Sequence, residues 1–212
     1  MAITKIVITG GPGAGKTGAL GRIREVFSDL GYTVLFVPEV ATSLISGGVA
    51  PWTCGTNLDY QKCHVATQVF REQIFEQAAR TMPNDKILIV CDRGNMGNKA
   101  YMTEEEFQGI LRDLGTTEVA LRDGYDAVFH LVTAAKGAEQ FYTRENNKAR
   151  YETVEEAVRQ DDKLIAAWTG HPHLRVINNN DDFERKLNRV IKEIAKVLEL
   201  PQLIETERKY IV

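Results

Sequence analysis

Residues 10–17 read GGPGAGKT and match the phosphate-binding pattern G-x-x-x-x-G-K-[ST]. Glycines let the backbone curl so that successive N–H groups point at one anion. Lys16 can then reach the β- and γ-phosphates of a nucleoside triphosphate, and the Thr17 hydroxyl can ligate Mg²⁺. The loop therefore predicts binding of a nucleoside triphosphate. Its candidate nucleotide-binding residues are Gly11, Gly13, Ala14, Gly15, Lys16, Thr17 and Gly18.

Two acidic residues directly follow predicted strands. Glu39 comes shortly after residues 33–37, and Asp92 comes after residues 86–91. Ligands of open α/β sheets gather at the carboxyl ends of the strands. An acid at the end of a strand near such a loop holds Mg²⁺ or its water, so Asp92 and Thr17 are candidate metal ligands. Glu39 is a candidate for orienting or deprotonating an acceptor hydroxyl, and the other interpretation is that it only caps the next helix.

A cluster of cations lies between two helical patterns, within residues 138–152. It contains Arg144, Lys148 and Arg150. In most proteins such a cluster is a solvated, salt-bridged helix face. Because a γ-phosphate must be neutralised during transfer, we favour a lid in which Arg144 and Arg150 close over the transferring phosphate.

The sequence indicates triphosphate binding more clearly than it indicates which nucleotide is bound. Asn178 and Asn179 directly follow the fifth predicted strand, and we count them among the candidate nucleotide-binding residues. The guanine-reading sequence N-K-x-D is not found after the fourth strand, since Asn147-Lys148 is followed by Ala149. ATP is therefore the expected nucleotide, with GTP still open.

The elements that must position these residues alternate between strands and helices. Five predicted strands cover residues 4–9, 33–37, 86–91, 126–132 and 173–177. Helical periodicity follows the loop, and capping residues begin helices at Thr103 and Thr153. A long helix is predicted over residues 58–79, with an apolar stripe formed by Val65, Val69, Phe70, Ile74 and Ala78. This alternation predicts an α/β fold, and His130 within the fourth strand is expected to be a packed side chain and not a catalyst.

Composition limits the classes of function. The chain has 212 residues, a net charge of −3 and a pI of about 5.9, which suit one or two domains and offer no basic surface for nucleic acid. Its three cysteines form no C-x-x-C pair, and Cys54, Cys63 and His64 lack the spacing of a zinc site. The chain enters its first strand directly and has no membrane-spanning apolar run. We therefore expect reduced thiols, no signal peptide and a cytoplasmic location.

Six segments together carry a resemblance that covers nearly the whole chain. They are ITGGPGAGKT, VPEVAT, FREQIFEQ, CDRG, TRENNKARYETVEEA and VINNNDDFERKLNRVI. The chain resembles the P-loop kinase-like proteins of the AAA-type ATP-binding family, including the ribosylnicotinamide-kinase domain of bacterial NAD regulators. This resemblance implies a three-layer P-loop NTPase sandwich, a parallel five-stranded sheet of order 2-3-1-4-5 and a helical lid. It also implies an acid near the acceptor hydroxyl and arginines that close over the phosphate.

The C-terminus suggests a division of the chain. Residues 1–200 are expected to form the nucleotide-binding domain, and residues 201–212 a tail. Within the tail, Glu205 to Lys209 resembles the first strand of the CYTH-type tunnel domains that follow this domain in some relatives. One strand forms no barrel, so we assign the tail no tunnel chemistry.

The sequence is compatible with two main functional hypotheses. The first is an enzyme that transfers a γ-phosphoryl group from a Mg-bound triphosphate to a small hydroxylated, nucleoside-like acceptor, with Lys16, Glu39, Asp92, Arg144 and Arg150 as catalytic candidates. The second is a nucleotide-gated switch that hydrolyses slowly and recruits a protein partner. A weaker possibility is a regulatory half that has lost its tunnel domain. The acceptor and the oligomeric state are not predicted.

Overall fold

A computed structural model describes residues 2–141 and 153–201. The strands are β1 (Ala2–Thr9), β2 (Thr33–Val37), β3 (Lys86–Asp92), β4 (Ala127–Leu131) and β5 (Leu174–Ile177). The helices are α1 (Lys16–Asp29), α2 (Val40–Ser46), α3 (Asn57–Ala79), α4 (Glu104–Asp113), α5 (Glu118–Arg122), α6 (Val154–Trp168) and α7 (Phe183–Val197). Short 3-10 helices span Asn95–Tyr101 and Glu139–Phe141. All five strands pair in parallel, in the order β2-β3-β1-β4-β5, which confirms the predicted sheet.

The central strand β1 contributes buried side chains to both faces of the sheet. Ile6 and Ile8 pack with α1 and α7 on one face, whereas Val7 packs on the other face with Phe107 of α4 and Trp168 of α6. Successive side chains of a strand point to opposite faces, so the consecutive apolar residues Ile6, Val7 and Ile8 are buried on both faces of the sheet. The result is the predicted three-layer sandwich, with the sheet between two layers of helices.

The helix starts were readable from local sequence. Thr103 and Thr153 each form a capping box, in which the threonine hydroxyl accepts from the N–H three residues on and the glutamate there accepts from the threonine N–H. The Asp182 carboxylate likewise accepts from the Arg185 N–H at the start of α7. The caps at Thr103 and Thr153 confirm the predicted helix starts.

The predicted apolar stripe of α3 is wrong. Val65 is fully buried, but Phe70 is 64% exposed and Ile74 is 44% exposed. The inward face of α3 is instead largely polar, with Gln61, His64, Gln68 and Glu72 among its buried residues. The cause is that this face covers a polar cavity and a buried ionic network, both described below.

Several expectations lie outside the described residues. Arg144, Lys148, Arg150, most of the predicted lid and the segment from Glu205 to Lys209 belong to this group. The division into a domain over residues 1–200 and a tail therefore stays a prediction. Among the described residues, no helix combines the length and the apolarity needed to cross a bilayer.

Candidate functional site

The phosphate-binding loop connects β1 to α1. Gly15 precedes the first residue of α1 and has a φ of 88°, a left-handed conformation that favours glycine. A β-carbon at this position would also lie 2.5 Å from the Phe183 ring. The helix therefore begins at Lys16 with its N-terminal amides directed out of the helix end, where they and the helix dipole attract an anion.

Lys16 lies within this loop and among charged neighbours. Its ammonium donates to the Gly10 carbonyl at 3.0 Å. Burial lowers the pKa of Lys16 to about 8, and the guanidinium of Arg93 adds to the effect, while Asp92 and Glu39 oppose it. The lysine that should bind phosphate thus loses its proton nearer to neutrality than an ordinary lysine does.

We expect triphosphate affinity to depend on pH because of this lysine. Below a pH of about 8 the ammonium is charged and attracts phosphate, and above it binding must first take up a proton. The affinity for Mg-ATP should therefore fall by about tenfold between pH 7 and pH 9. Calorimetric titration at several pH values measures this fall, and the Lys16→Arg variant, whose charge is constant over the range, is the control. A wild-type affinity that stays constant up to pH 9 would contradict the lowered pKa.

The sheet brings the two predicted acids to the edge where the loop begins. Asp92 ends β3, pairs with Ile8 of β1, and is followed by Arg93, whose N–H donates to the Ile8 carbonyl at 3.0 Å. Val37 of β2 pairs with the residue before Asp92, so Glu39 emerges beside it. Glu39 and Asp92 also line one cavity of about 310 Å³ between α1 and β2. The loop and both carboxylates therefore share one edge of the sheet.

Glu39 does not behave as a helix cap. It occupies the position before α2, but its side chain makes no hydrogen bond to the helix backbone. One carboxylate oxygen accepts from the Thr42 hydroxyl at 2.9 Å, and the other is ion-paired with Arg93. The carboxylate therefore faces Arg93 and the sheet edge, which disfavours the interpretation that Glu39 only caps a helix.

Arg93 belongs to this site, although the sequence did not single it out. It is a non-glycine residue with a φ of 71°, a strained backbone conformation that is concentrated at functional sites. Its guanidinium pairs with Glu39 and also donates to the Tyr101 hydroxyl at 3.2 Å. The signal that could have identified Arg93 is the cation between Asp92 and Gly94 at the end of a buried strand.

A buried polar network holds the turn that follows Arg93. The Tyr125 hydroxyl accepts from the backbone and side-chain N–H groups of Asn95, both at 2.9 Å, and donates to Glu72 of α3 at 3.0 Å. Lys5 of β1 lies 3.6 Å from Glu72 and 2.6 Å from Glu76. These buried contacts anchor the turn that carries Arg93 to both α3 and the sheet.

Asp92 has the features expected of a magnesium ligand. One of its carboxylate oxygens, Oδ1, is buried and has no hydrogen-bond partner. Burial raises the pKa of Asp92, which the nearby Lys16 ammonium opposes. Within the described residues, no three His, Cys, Asp or Glu side chains form a metal cluster by themselves. This donor set fits Mg²⁺, which is held by one or two carboxylates together with substrate phosphates and water.

The carboxylate of Asp161, which was not predicted from the sequence, holds the loop through a hydrogen bond from α6. Asp161 of α6 is fully buried and accepts from the Gly11 N–H at 2.9 Å and from His130 Nε2 at 3.0 Å. It also accepts from the Thr133 N–H and the Lys136 ammonium. The Gly11 amide is thereby already paired with the protein, and His130 is the packed residue that was expected. Gly11 and Asp161 are 150 positions apart in the sequence, which explains why no local pattern revealed the pair.

Removing the Asp161 charge should destabilise the fold. Burial opposes ionisation, but hydrogen bonds from His130, Lys136 and Gly11 lower the pKa of Asp161 from 3.8 to about 2. This difference contributes about 2 kcal/mol of stability, which is present above pH 4 and lost as the pH falls toward 2. We expect Asp161→Asn to lower the free energy of unfolding by about 2–4 kcal/mol at pH 7 and to reduce the loss of stability in acid.

The matched control is Asp162→Asn. Asp162 also pairs with Lys136, at 2.6 Å, but its side chain is 65% exposed, so its removal should cost less than about 1 kcal/mol. Urea denaturation of both variants between pH 3 and pH 7 separates the two effects. Equal losses for Asp161→Asn and Asp162→Asn would contradict the role of the buried carboxylate.

Two further cavities lie near the site residues. The Phe183 cavity, of about 420 Å³, is lined by Gly13, Ala14, Ala134, Ala138, Asn179, Asp181, Asp182, Phe183 and Lys186. The α3 cavity, of about 290 Å³, is lined by Glu39, Ala41, Ile45, Pro51, Asn57, Tyr60, Gln61, His64, Arg93, Gly97, Asn98 and Tyr101. One cavity thus lies beside the loop near α7, and the other lies beside the carboxylates below α3.

The two asparagines predicted to bind nucleotide have their side chains engaged within the protein. The Asn179 amide donates to the Thr133 and Lys136 carbonyls and accepts from the Lys186 ammonium at 2.7 Å. The Asn178 side-chain oxygen accepts from Arg189 at 2.7 Å. Asn179 lines the wall of the Phe183 cavity, and a direct contact of either asparagine with nucleotide stays a prediction.

The sheet order, the phosphate-binding loop and the acid at the end of β3 define a P-loop NTPase of the kinase-like type. The chain belongs to the AAA domain family, whose model matches residues 5–186. Comparison with curated protein sequences gave no match.

Solved structures that share this fold include the following two. One is deoxyadenosine kinase from M. mycoides with bound dATP, at a TM-score of 0.58 and 15% identity, over 90% of this chain and 98% of that chain. The other is thymidylate kinase from Ehrlichia chaffeensis, at a TM-score of 0.55 and 20% identity, over 93% of this chain and 100% of that chain. At these identities the similarity shows the fold alone.

Proposed function

We propose that this protein is a Mg²⁺-dependent phosphotransferase. It moves the γ-phosphoryl group of ATP or GTP to a hydroxyl of a small, nucleoside-like acceptor. The observation that carries the proposal is that Glu39 and Asp92 lie at the sheet edge where the loop begins, with the loop lining one cavity and Glu39 and Arg93 lining another. This arrangement supports a donor bound in the Phe183 cavity, an acceptor bound in the α3 cavity and transfer of the phosphate between them.

The donor triphosphate lies along the loop. The N-terminal amides of α1 and the Lys16 ammonium bind its phosphates, and the nucleoside occupies the Phe183 cavity. Asp92 and Thr17 would hold Mg²⁺, which would neutralise negative charge on the phosphates during transfer. The Phe183 ring gives this cavity an aromatic wall against which a base can pack.

The acceptor occupies the α3 cavity. Its hydroxyl oxygen attacks the γ-phosphorus while the bond from that phosphorus to the bridging oxygen breaks and the nucleoside diphosphate leaves. The hydroxyl proton goes to the Glu39 carboxylate, and Arg93 orients that carboxylate through their ion pair. Arg144 and Arg150 would neutralise the transferring phosphate from the lid, a role that lies outside the described residues.

The two structural neighbours act on acceptors of the expected size. By their names, one phosphorylates deoxyadenosine and the other thymidylate. Their fold similarity supports a small-molecule acceptor over a protein one. The alternative, a nucleotide-gated switch, needs no acid in a second cavity, and the Glu39–Arg93 pair beside the α3 cavity favours transfer.

The experiment that tests the proposal measures the rate of nucleoside diphosphate formation with Mg-ATP and Mg-GTP against a panel of nucleosides and vitamins. A phosphotransferase forms diphosphate faster when the right acceptor is present. A switch forms it slowly and at the same rate with every member of the panel. The Glu39→Gln variant serves as the control, because it should lose the acceptor-dependent part only.

A further inference from the structure

The α3 cavity combines one charged end with a neutral interior. Glu39 and Arg93 lie at the end toward the loop and are paired with each other. Arg93 is the only cation among the described residues that line the cavity, and its charge is balanced by Glu39. A negatively charged acceptor would therefore find no free positive charge within this part of the cavity.

Three polar side chains in the wall are buried and incompletely partnered. Gln61 is 5% exposed, His64 is 8% exposed and Asn98 is 5% exposed. The Gln61 Oε1, His64 Nδ1 and Asn98 Nδ2 atoms have no hydrogen-bond partner. Buried polar groups normally have hydrogen-bond partners, because a buried group without a partner costs free energy. Unsatisfied groups on the wall of a cavity indicate a ligand that supplies the missing partners.

The chemistry of these three groups defines their ligand. A side-chain amide presents donors and an acceptor in one plane, and reversing the amide exchanges them without adding charge. Burial lowers the pKa of His64 to about 4, so its ring is neutral near pH 7. Tyr60 and Tyr101 add aromatic surface to the same cavity. Neutral amides, a neutral imidazole and aromatic rings suit a flat, uncharged heterocycle with both donors and acceptors.

From these contacts we infer that the acceptor is an uncharged nucleoside, whose base is bound by Gln61, His64 and Asn98 and whose hydroxyl lies toward Glu39. The inference rests on the proposed function and excludes the phosphorylated acceptor, a nucleoside monophosphate. Of the two structural neighbours, one is named for a nucleoside and the other for a nucleoside monophosphate. The inference favours the first kind of reaction, in which a hydroxyl is the nucleophile.

Matched ligands test the charge of the acceptor. Each common nucleoside and its 5′-monophosphate are titrated, in the presence of a non-hydrolysable Mg-ATP analogue, into the wild-type protein by calorimetry. We expect at least one nucleoside to bind at least about tenfold more tightly than its monophosphate. Tighter binding of the monophosphate, or binding of neither class, would overturn the inference. Nucleoside binding without subsequent transfer would support it and overturn the proposed function instead.

Matched variants test the role of the wall. Gln61→Leu and Asn98→Leu keep most of the side-chain volume and remove the hydrogen bonds, so each should weaken binding of the preferred nucleoside by about 10- to 100-fold. The affinity for Mg-ATP should not change. The control is Gln73→Leu, which makes the same substitution on the exposed face of α3. If Gln61→Leu and Gln73→Leu bind the nucleoside equally well, the inference is wrong.

Discussion

The Glu39→Gln variant should bind Mg-ATP with nearly wild-type affinity and transfer phosphate about 10²–10⁴ times more slowly. Glu39 lines the α3 cavity, whereas the donor phosphates are proposed to bind to Lys16 and the amides at the start of α1. The amide is isosteric with the carboxylate but accepts no proton. Rapid-quench measurement of a single turnover, with calorimetry for affinity, separates the chemical step from binding.

The comparison with Asp92→Asn makes this prediction specific. Asp92 lies beside the loop and would hold the metal, so its amide variant should weaken Mg²⁺-dependent nucleotide binding as well as transfer. The two acids thus differ in which step they affect. Wild-type turnover in Glu39→Gln would show that Glu39 is not the base and would assign that role to Asp92.

The Lys16→Ala variant should lose at least about 100-fold in triphosphate affinity, because the hydrogen bonds of an ammonium to phosphate are charge-assisted. The protein should still fold, because the Lys16 side chain reaches loop carbonyls and not the hydrophobic core. Calorimetry with Mg-ATP and Mg-GTP measures the loss, and circular dichroism checks the fold.

The control for this variant is Lys62→Ala. Lys62 lies on α3 and pairs with the exposed Asp113, away from the loop. This variant should keep both affinity and fold. If Lys16→Ala bound Mg-ATP as tightly as Lys62→Ala, the loop would not be the triphosphate site.

The sequence predicted the parts of this fold that are encoded locally. Five apolar strands, the loop motif and the caps at Thr103 and Thr153 each depend on neighbouring residues, and all of them are found in the structure. The position of Glu39 and Asp92 at one sheet edge followed from the rule that parallel strands present their carboxyl ends together.

The parts that were missed depend on contacts distant in sequence. Helix periodicity assigned Phe70 and Ile74 to the buried face, because it assumes that apolar residues face inward. On α3 the polar residues face the protein interior instead, because they line the α3 cavity or belong to the Glu72 network. The link between Gly11 and Asp161 likewise depends on how α6 packs on the loop, which no local pattern encodes.

The most direct test follows the γ-phosphate itself through one turnover. The wild-type protein, in excess over γ-labelled Mg-ATP, is mixed with the acceptor that binds most tightly, and the labelled products are separated at successive times. We expect the label to appear in the acceptor at the rate at which ADP forms, and we expect this rate to fall in Glu39→Gln. Label that appears only as inorganic phosphate, at a rate that is the same with and without acceptor, would contradict phosphoryl transfer and favour a nucleotide-gated switch.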